Sequence, residues 1–158
     1  MVKKRLLIFF FLLPLWAYAS VPVDVSLDVL AKSADHLLIG HVVGVDMIDG
    51  QGRQITDANA MTGPSTRNLI RLVVEIDEVV VSGARAVPKI IKVPLDPAMH
   101  YRLGKIKDAY SNPSQKFLLL LHGENFQPAF PGVFRRNLSD KSKVIELMKA
   151  NKSALPSD

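Results

Sequence analysis

Hydrophobic and polar residues alternate along residues 69–81 with a period of two, which is typical of a β-strand with one buried face. The opposite face of this segment carries Arg71, Glu75 and Asp77. The buried face is expected to hold Ile70, Leu72, Val74, Ile76 and Val80.

Two further segments, residues 37–47 and 117–121, are apolar at nearly every position. Uninterrupted apolar runs of this kind predict strands that are covered on both faces. Gly40 and Gly44 interrupt the first run and predict bends or β-bulges within it.

The remaining strands are shorter. Asp49-Gly50 predicts a tight turn, after which the chain doubles back through residues 51–56. Residues 89–95 are predicted to form a third strand, and residues 130–134 a last one that is broken by Pro131-Gly132.

Three helices are predicted from caps and apolar stripes. Ser26 is expected to cap a helix over residues 27–34. Asp96 and Pro97 predict a two-turn helix that ends at Gly104. A terminal helix is expected to begin after Ser139 or Asp140. Its apolar stripe is Val144, Leu147 and Met148.

This order predicts a mainly β protein: a small five-stranded OB-like antiparallel barrel with a short helix between strands 3 and 4 and flanking N- and C-terminal helices. Another small antiparallel barrel or a sandwich is the alternative. The expected domain covers residues 20–150, and residues 151–158 are expected to be a frayed tail.

The first 19 residues have the pattern of a cleaved signal peptide. Lys3, Lys4 and Arg5 precede an apolar stretch of ~10 residues, which is too short to span a bilayer as a helix. Small residues at positions 17 and 19 predict cleavage after Ala19. We therefore expect a periplasmic or secreted protein with no stable membrane insertion after cleavage; an uncleaved anchor is the alternative.

The amino-acid composition excludes several classes of site and partner. The chain has no cysteine, which excludes disulfides, thiolate metal sites and thiol nucleophiles. It carries 20 Lys and Arg against 15 Asp and Glu, and three of these cations lie in the predicted signal peptide. Without them the net charge is only about +2 and no long basic run remains, so nucleic acid is not an expected partner.

Three segments resemble those of bacterial exported domains of the tissue-inhibitor-of-metalloproteinase-like (netrin-module-like) OB superfamily. They are SADHLLIGHVVGV, VEIDEVVVSG and KFLLLL, and the similar region covers about residues 33–134. The resemblance implies an OB barrel that binds a protein or another ligand without catalysis. The inhibitors of that superfamily reach a catalytic zinc through an N-terminal Cys, whereas Ser20 is the predicted mature N-terminus here. No functional residue is therefore transferred.

His36 and His41 lie within the first apolar run. An odd spacing of five sends two side chains to opposite faces of a strand, so the pair is not expected to share a metal. The residues around Gly50 also lack the ligand spacing of a calcium loop. No metal or other cofactor is expected. Whether His41 faces the core or the solvent stays open.

The polar segments 49–66 and 98–115 are the expected recognition loops. The candidate binding residues within them are Arg53, Asp57, His100, Tyr101 and Arg102. We expect a non-catalytic binding module, an inhibitor or accessory subunit that recognises another exported protein or an envelope ligand.

Two alternatives remain: a small periplasmic hydrolase that uses His100 or His122, and a structural envelope protein. No Gly-x-Ser-x-Gly motif supports the first. Arg135-Arg136 is either a solvated pair or a contact for phosphate or a membrane surface. The oligomeric state stays open.

Overall fold

The computed structural model describes residues 24–153. Residues 1–23, which include the predicted signal peptide and the first four residues of the predicted domain, and residues 154–158 lie outside the described residues. Within the described range there are six strands, three α-helices and one 3-10 helix (Leu138–Asp140). In chain order they are α1 (Leu27–Ser33), β1 (His36–Ile48), β2 (Leu69–Ser82), β3 (Ile90–Pro94), α2 (Leu103–Ala109), β4 (Lys116–His122), β5 (Gln127–Pro128), β6 (Arg135–Arg136) and α3 (Lys141–Ser153).

The prediction of a mainly β, antiparallel protein is confirmed. The strands form one sheet in the order β3-β2-β1-β4-β5, and β6 pairs with β4. Strand β1 is central because it pairs with β2 along its whole length and with β4 along its first half. No hydrogen-bonded pairing joins β3 to β5 in the described part of the chain, so the sheet is not closed.

Strand β1 is bent, as its glycines predict. Its register with β2 shifts next to Gly40 and again between Val42 and Gly44. Gly40 is required by packing, since a Cβ there would lie 2.6 Å from the backbone oxygen of Glu75. The bulges increase the local coiling of the strand pair.

The sheet separates two hydrophobic clusters. Leu38 and Val42 of β1 belong to the larger cluster, whereas Leu37 and Ile39 belong to the smaller one, which α1 and α3 cover. This arrangement explains why β1 is apolar on both faces. Val80 was predicted to share a face with Ile70 to Ile76, but it packs against the smaller cluster because the register shifts beside it.

The two flanking helices are confirmed. The Ser26 side chain accepts a hydrogen bond from the Val29 amide and caps α1. Val144 and Met148 of α3 are buried against the smaller cluster, with Leu147 partly buried beside them. Helix α3 continues to Ser153, three residues into the expected frayed tail.

Two element positions were predicted wrongly. The helix between β3 and β4 begins at Leu103, not at Asp96, and Gly104 lies in its first turn. The predicted strand 130–134 is a turn, because Gly132 has a φ of +71° and the Val133 amide donates to the Phe130 oxygen. The two-residue strands β5 and β6 lie on either side of it.

Candidate binding surface

The two polar segments that were expected to act in recognition are joined to each other. Backbone hydrogen bonds run from Thr62 to the Tyr101 oxygen (2.9 Å) and from Leu103 to the Ala60 oxygen (3.0 Å). Met61 and Arg102 form an antiparallel bridge between them. We call the paired segments, residues 58–63 and 99–104, the loop platform.

Thr62 holds the loop platform together from inside. Its side chain is only 2% exposed, and its Oγ1 donates to the Met99 oxygen (2.6 Å) while it accepts from the Tyr101 amide (3.0 Å). Gly63 lies directly against His100, since a Cβ at Gly63 would lie 2.8 Å from the His100 ring. Its φ of +146° also favours glycine. The two loops therefore form a packed and preorganised unit.

The outer surface of the loop platform combines apolar side chains with a histidine and an arginine. Met61 and Met99 are 39% and 43% exposed, although both are large and apolar. His100 and Arg102 are exposed beside them. Met and Arg are enriched at protein interfaces, and the flexible thioether of Met adapts to different partner surfaces.

The candidate binding residues of the second segment lie in two different environments. His100 and Arg102 lie on the exposed surface, whereas Tyr101 is half-buried and packs against the larger cluster. Burial raises the pKa of the Tyr101 hydroxyl, the negative charge of Asp96 adds to this, and the positive charge of Arg135 opposes it. Tyr101 therefore has a structural role as well as a place on the surface.

Arg53 and Asp57, the other two candidate binding residues, lie outside the loop platform. Asp57 precedes the loop platform and fixes its first turn by accepting a hydrogen bond from the Asn59 amide (2.9 Å). Arg53 belongs to the separate turn after β1, where its Nε lies 2.7 Å from the Asp49 carboxylate. The chain doubles back there as predicted, but only a single bridge, Ile48 to Gln54, follows.

An apolar cavity of about 440 Å³ is lined by residues outside the loop platform. It lies between the end of β3 and strand β5 and is lined by Leu69, Leu95, Asp96, His122, Pro128 and Pro131, among others. Asp96 connects the two features because its backbone oxygen accepts a hydrogen bond from the Met99 amide (3.2 Å). A pocket of this size accepts an apolar side chain or a small ligand.

Sequence reasoning missed Thr62, Met61 and Met99. A single Thr in a polar loop gives no signal of burial, because burial depends on the second loop. The two methionines did carry a signal, since each is a large apolar residue within a mainly polar segment.

The two histidines of the proposed hydrolase show no oriented catalytic arrangement. Within residues 24–153, neither His100 nor His122 is hydrogen-bonded to another side chain. A nucleophile would need a base at hydrogen-bond distance and a third group that orients the base.

His36 and His41 have different environments. His36 is 2% exposed, with Nδ1 2.9 Å from the Ser82 hydroxyl and Nε2 3.0 Å from the Gly123 oxygen. Because a carbonyl only accepts, Nε2 carries the donated proton. The ring also lies 4.8 Å from that of Phe126, so His36 is an integral part of the packing.

His41 faces outward, which answers the question left open by the sequence. Its Nδ1 lies 2.9 Å from the Asp77 carboxylate, and Lys116 lies 3.4 Å from the other oxygen of that group. The hydrogen bond from His41 is the main reason that the pKa of Asp77 lies below its ordinary value. No group of three His, Asp or Glu side chains suited to a metal ion occurs among the described residues.

Comparisons with protein-family models, with curated proteins and with solved structures returned no match. The described residues contain no helix that is both long and apolar enough to cross a membrane. The functional interpretation therefore depends on the surfaces and cavities of this chain alone.

Proposed function

We propose that the protein is a non-catalytic binding module of the cell envelope and that its loop platform recognises another exported protein. One observation carries this proposal: two loops that are distant in sequence are fixed to each other and expose Met61 and Met99 beside His100 and Arg102. A preorganised surface loses less conformational entropy on association than two independent loops would.

The composition of the loop platform favours a protein partner. Its methionines offer adaptable apolar contact, and Arg102 offers a planar donor group for backbone or carboxylate oxygens. The apolar cavity is linked to Met99 through Asp96, and in this proposal it accepts an apolar side chain of the same partner. Such a combination of an anchor pocket and a polar rim is characteristic of protein recognition sites.

We also propose that the sheet is an OB-like barrel. The order β3-β2-β1-β4-β5 supports this, together with the contacts between the two end strands, β3 and β5. The helix between β3 and β4 agrees with the same plan. Export to the periplasm or outside the cell rests on residues 1–19 of the sequence, so it is part of the proposal.

A site-specific crosslinking experiment tests the recognition surface. A photoreactive amino acid replaces Met99 in the producing cell, and the matched control replaces Leu138, which is 42% exposed on the 3-10 helix. We expect a discrete crosslinked protein from position 99 and none from position 138. The same products from both positions, or none from position 99, would contradict the proposal.

Substitutions then measure what the surface contributes. The double variant Met61→Ser/Met99→Ser, added as a competitor, should no longer displace the crosslinked partner. It should keep the wild-type unfolding midpoint, because both side chains are exposed. Leu138→Ser is the control. Arg102→Ala is preferable to a change at Tyr101, since Tyr101 packs against the core.

A further inference from the structure

Two neighbouring arginines of β6, Arg135 and Arg136, line one shallow pocket of about 250 Å³ together with Phe117 and Asn137. We call it the arginine pocket. Neither guanidinium forms an ion pair with a carboxylate among residues 24–153, although seven other Lys or Arg side chains do so there. Two partly buried cations without a counter-charge in one pocket require a different explanation from solvated surface charges.

Aromatic rings hold the guanidinium of Arg135. Its Cζ lies 4.7 Å from the centre of the Tyr110 ring and 4.8 Å from that of Phe117. A cation above a ring is stabilised through the ring face, and the N–H donors at the edge of the guanidinium stay available. The two rings therefore fix the position of the Arg135 guanidinium without using its N–H donors.

Backbone oxygens hold the guanidinium of Arg136. One of its terminal nitrogens donates to the Val25 oxygen (2.6 Å) and the other to the Arg135 oxygen (3.1 Å). These acceptors are neutral, so they fix the geometry and leave the positive charge uncompensated. Asn137 adds an amide whose side chain forms no capping bond with the 3-10 helix that follows.

We propose that the arginine pocket binds a phosphate group. A tetrahedral oxyanion offers more acceptor oxygens than a carboxylate and suits the planar donor edge of Arg135 beside the Asn137 amide. The guanidinium of Arg136 extends towards Val25 and adds positive charge to the site. Arg135 and Arg136 are anchored by the pairing of β6 with β4, so the site is part of the rigid sheet. The phosphate has two possible sources, a small soluble phosphate ester or the headgroup of an anionic phospholipid.

A titration tests the site directly. The protein, purified in the form that the cell produces, is titrated with inorganic phosphate and with glycerol phosphate while the Nε–H signals of its arginines are followed by NMR. We expect saturable shifts of the Arg135 and Arg136 signals. Arg135→Gln should weaken binding by about tenfold or more, as expected for the loss of charge-assisted hydrogen bonds.

Two variants separate a built site from general charge. Arg85→Gln removes one cation from an exposed position with no ion pair in the described residues and should leave the affinity unchanged. Arg135→Lys keeps the charge but loses the planar donor edge, so it should bind more weakly than the wild type. An equal effect of Arg85→Gln and Arg135→Gln, or full affinity of Arg135→Lys, would overturn the proposal.

Vesicle co-sedimentation identifies the source of the phosphate. Binding to phosphatidylcholine vesicles only when they contain phosphatidylglycerol, with competition by glycerol phosphate, supports the lipid headgroup. Saturable titration without vesicle binding supports a soluble ester. The absence of both responses in the folded protein overturns the site, independently of the function proposed for the loop platform.

Discussion

At the scale of single residues, β1 contains two positions at which the surrounding atoms determine which side chain fits. His36 is enclosed by Ser82, Gly123 and Phe126, and both of its ring nitrogens are used. Gly40 lies against the backbone of β2 at a register shift, where no Cβ fits. Both residues belong to the packing, and neither is part of the proposed binding surface.

His36→Ala should lower the free energy of unfolding by about 2–4 kcal/mol, because it removes a buried ring together with its two hydrogen bonds. His41→Ala is the matched control and should cost less than about 1 kcal/mol, since it breaks only a partly exposed hydrogen bond to Asp77. Urea unfolding followed by circular dichroism measures both. Equal losses would show that His36 is not the packed residue described here.

Gly40→Ala should destabilise the protein by about 1–3 kcal/mol, because the new methyl group meets the Glu75 oxygen and a Val74 methyl group at less than 3 Å. Gly44→Ala is the control in the same strand. The nearest atom to its Cβ would be 3.8 Å away, so its stability should change by less than about 1 kcal/mol. Thermal unfolding of the two variants side by side tests this difference.

At the scale of elements, pairing between loops overrides a local helix signal. Asp96 and Pro97 have the residue types that begin a helix, yet residues 101–103 pair with residues 60–62. The Asp96 side chain accepts from the Ala98 amide and closes a turn there. Helix α2 can begin only at Leu103, where this pairing ends.

Thr62→Val should cost about 2–3 kcal/mol and loosen the loop platform, because the Met99 oxygen and the Tyr101 amide would lose their buried partner. Thr66→Val is the control, since Thr66 is exposed and bonds only within its own loop. Hydrogen exchange of the Tyr101 amide should accelerate in the first variant alone. Unchanged exchange would mean that Thr62 does not join the two loops.

At the scale of the whole molecule, a network of charged side chains connects the three neighbouring strands β1, β2 and β3. Asp46 of β1 accepts two hydrogen bonds from Arg71 of β2 (2.8 and 2.7 Å) and one from Lys92 of β3 (3.0 Å). Burial raises the pKa of Asp46, but the bonds from Arg71 and Lys92 outweigh it and hold the pKa below its ordinary value.

This network predicts a contribution to stability that depends on pH. A carboxyl group whose pKa is lower in the folded state stabilises the protein above its unfolded pKa of about 4, and this contribution is lost as the pH falls through the folded value. Asp46→Asn should therefore be less stable than the wild type at pH 7, with a difference that shrinks below about pH 4. Urea midpoints across this range test the sign; a constant difference would contradict it.

The order of the polar and apolar residues was sufficient to predict the main strands, the two bends of β1 and the Ser26 cap of α1. These features depend on periodicity and on turn chemistry, which are properties of near neighbours along the chain. The export of the protein stays a prediction of the same kind, because it depends on the order of residues 1–19.

Only the tertiary structure decided which distant residues meet. The contacts of His36 with Ser82 and of Thr62 with Met99 join residues 46 and 37 positions apart, and Arg136 reaches Val25 across 111 positions. No periodic pattern encodes such contacts, since they depend on how the sheet coils and on which loops it brings together. The loop platform and the arginine pocket both arise in this way, because each takes its residues from segments that are remote in sequence and adjacent only in the folded protein.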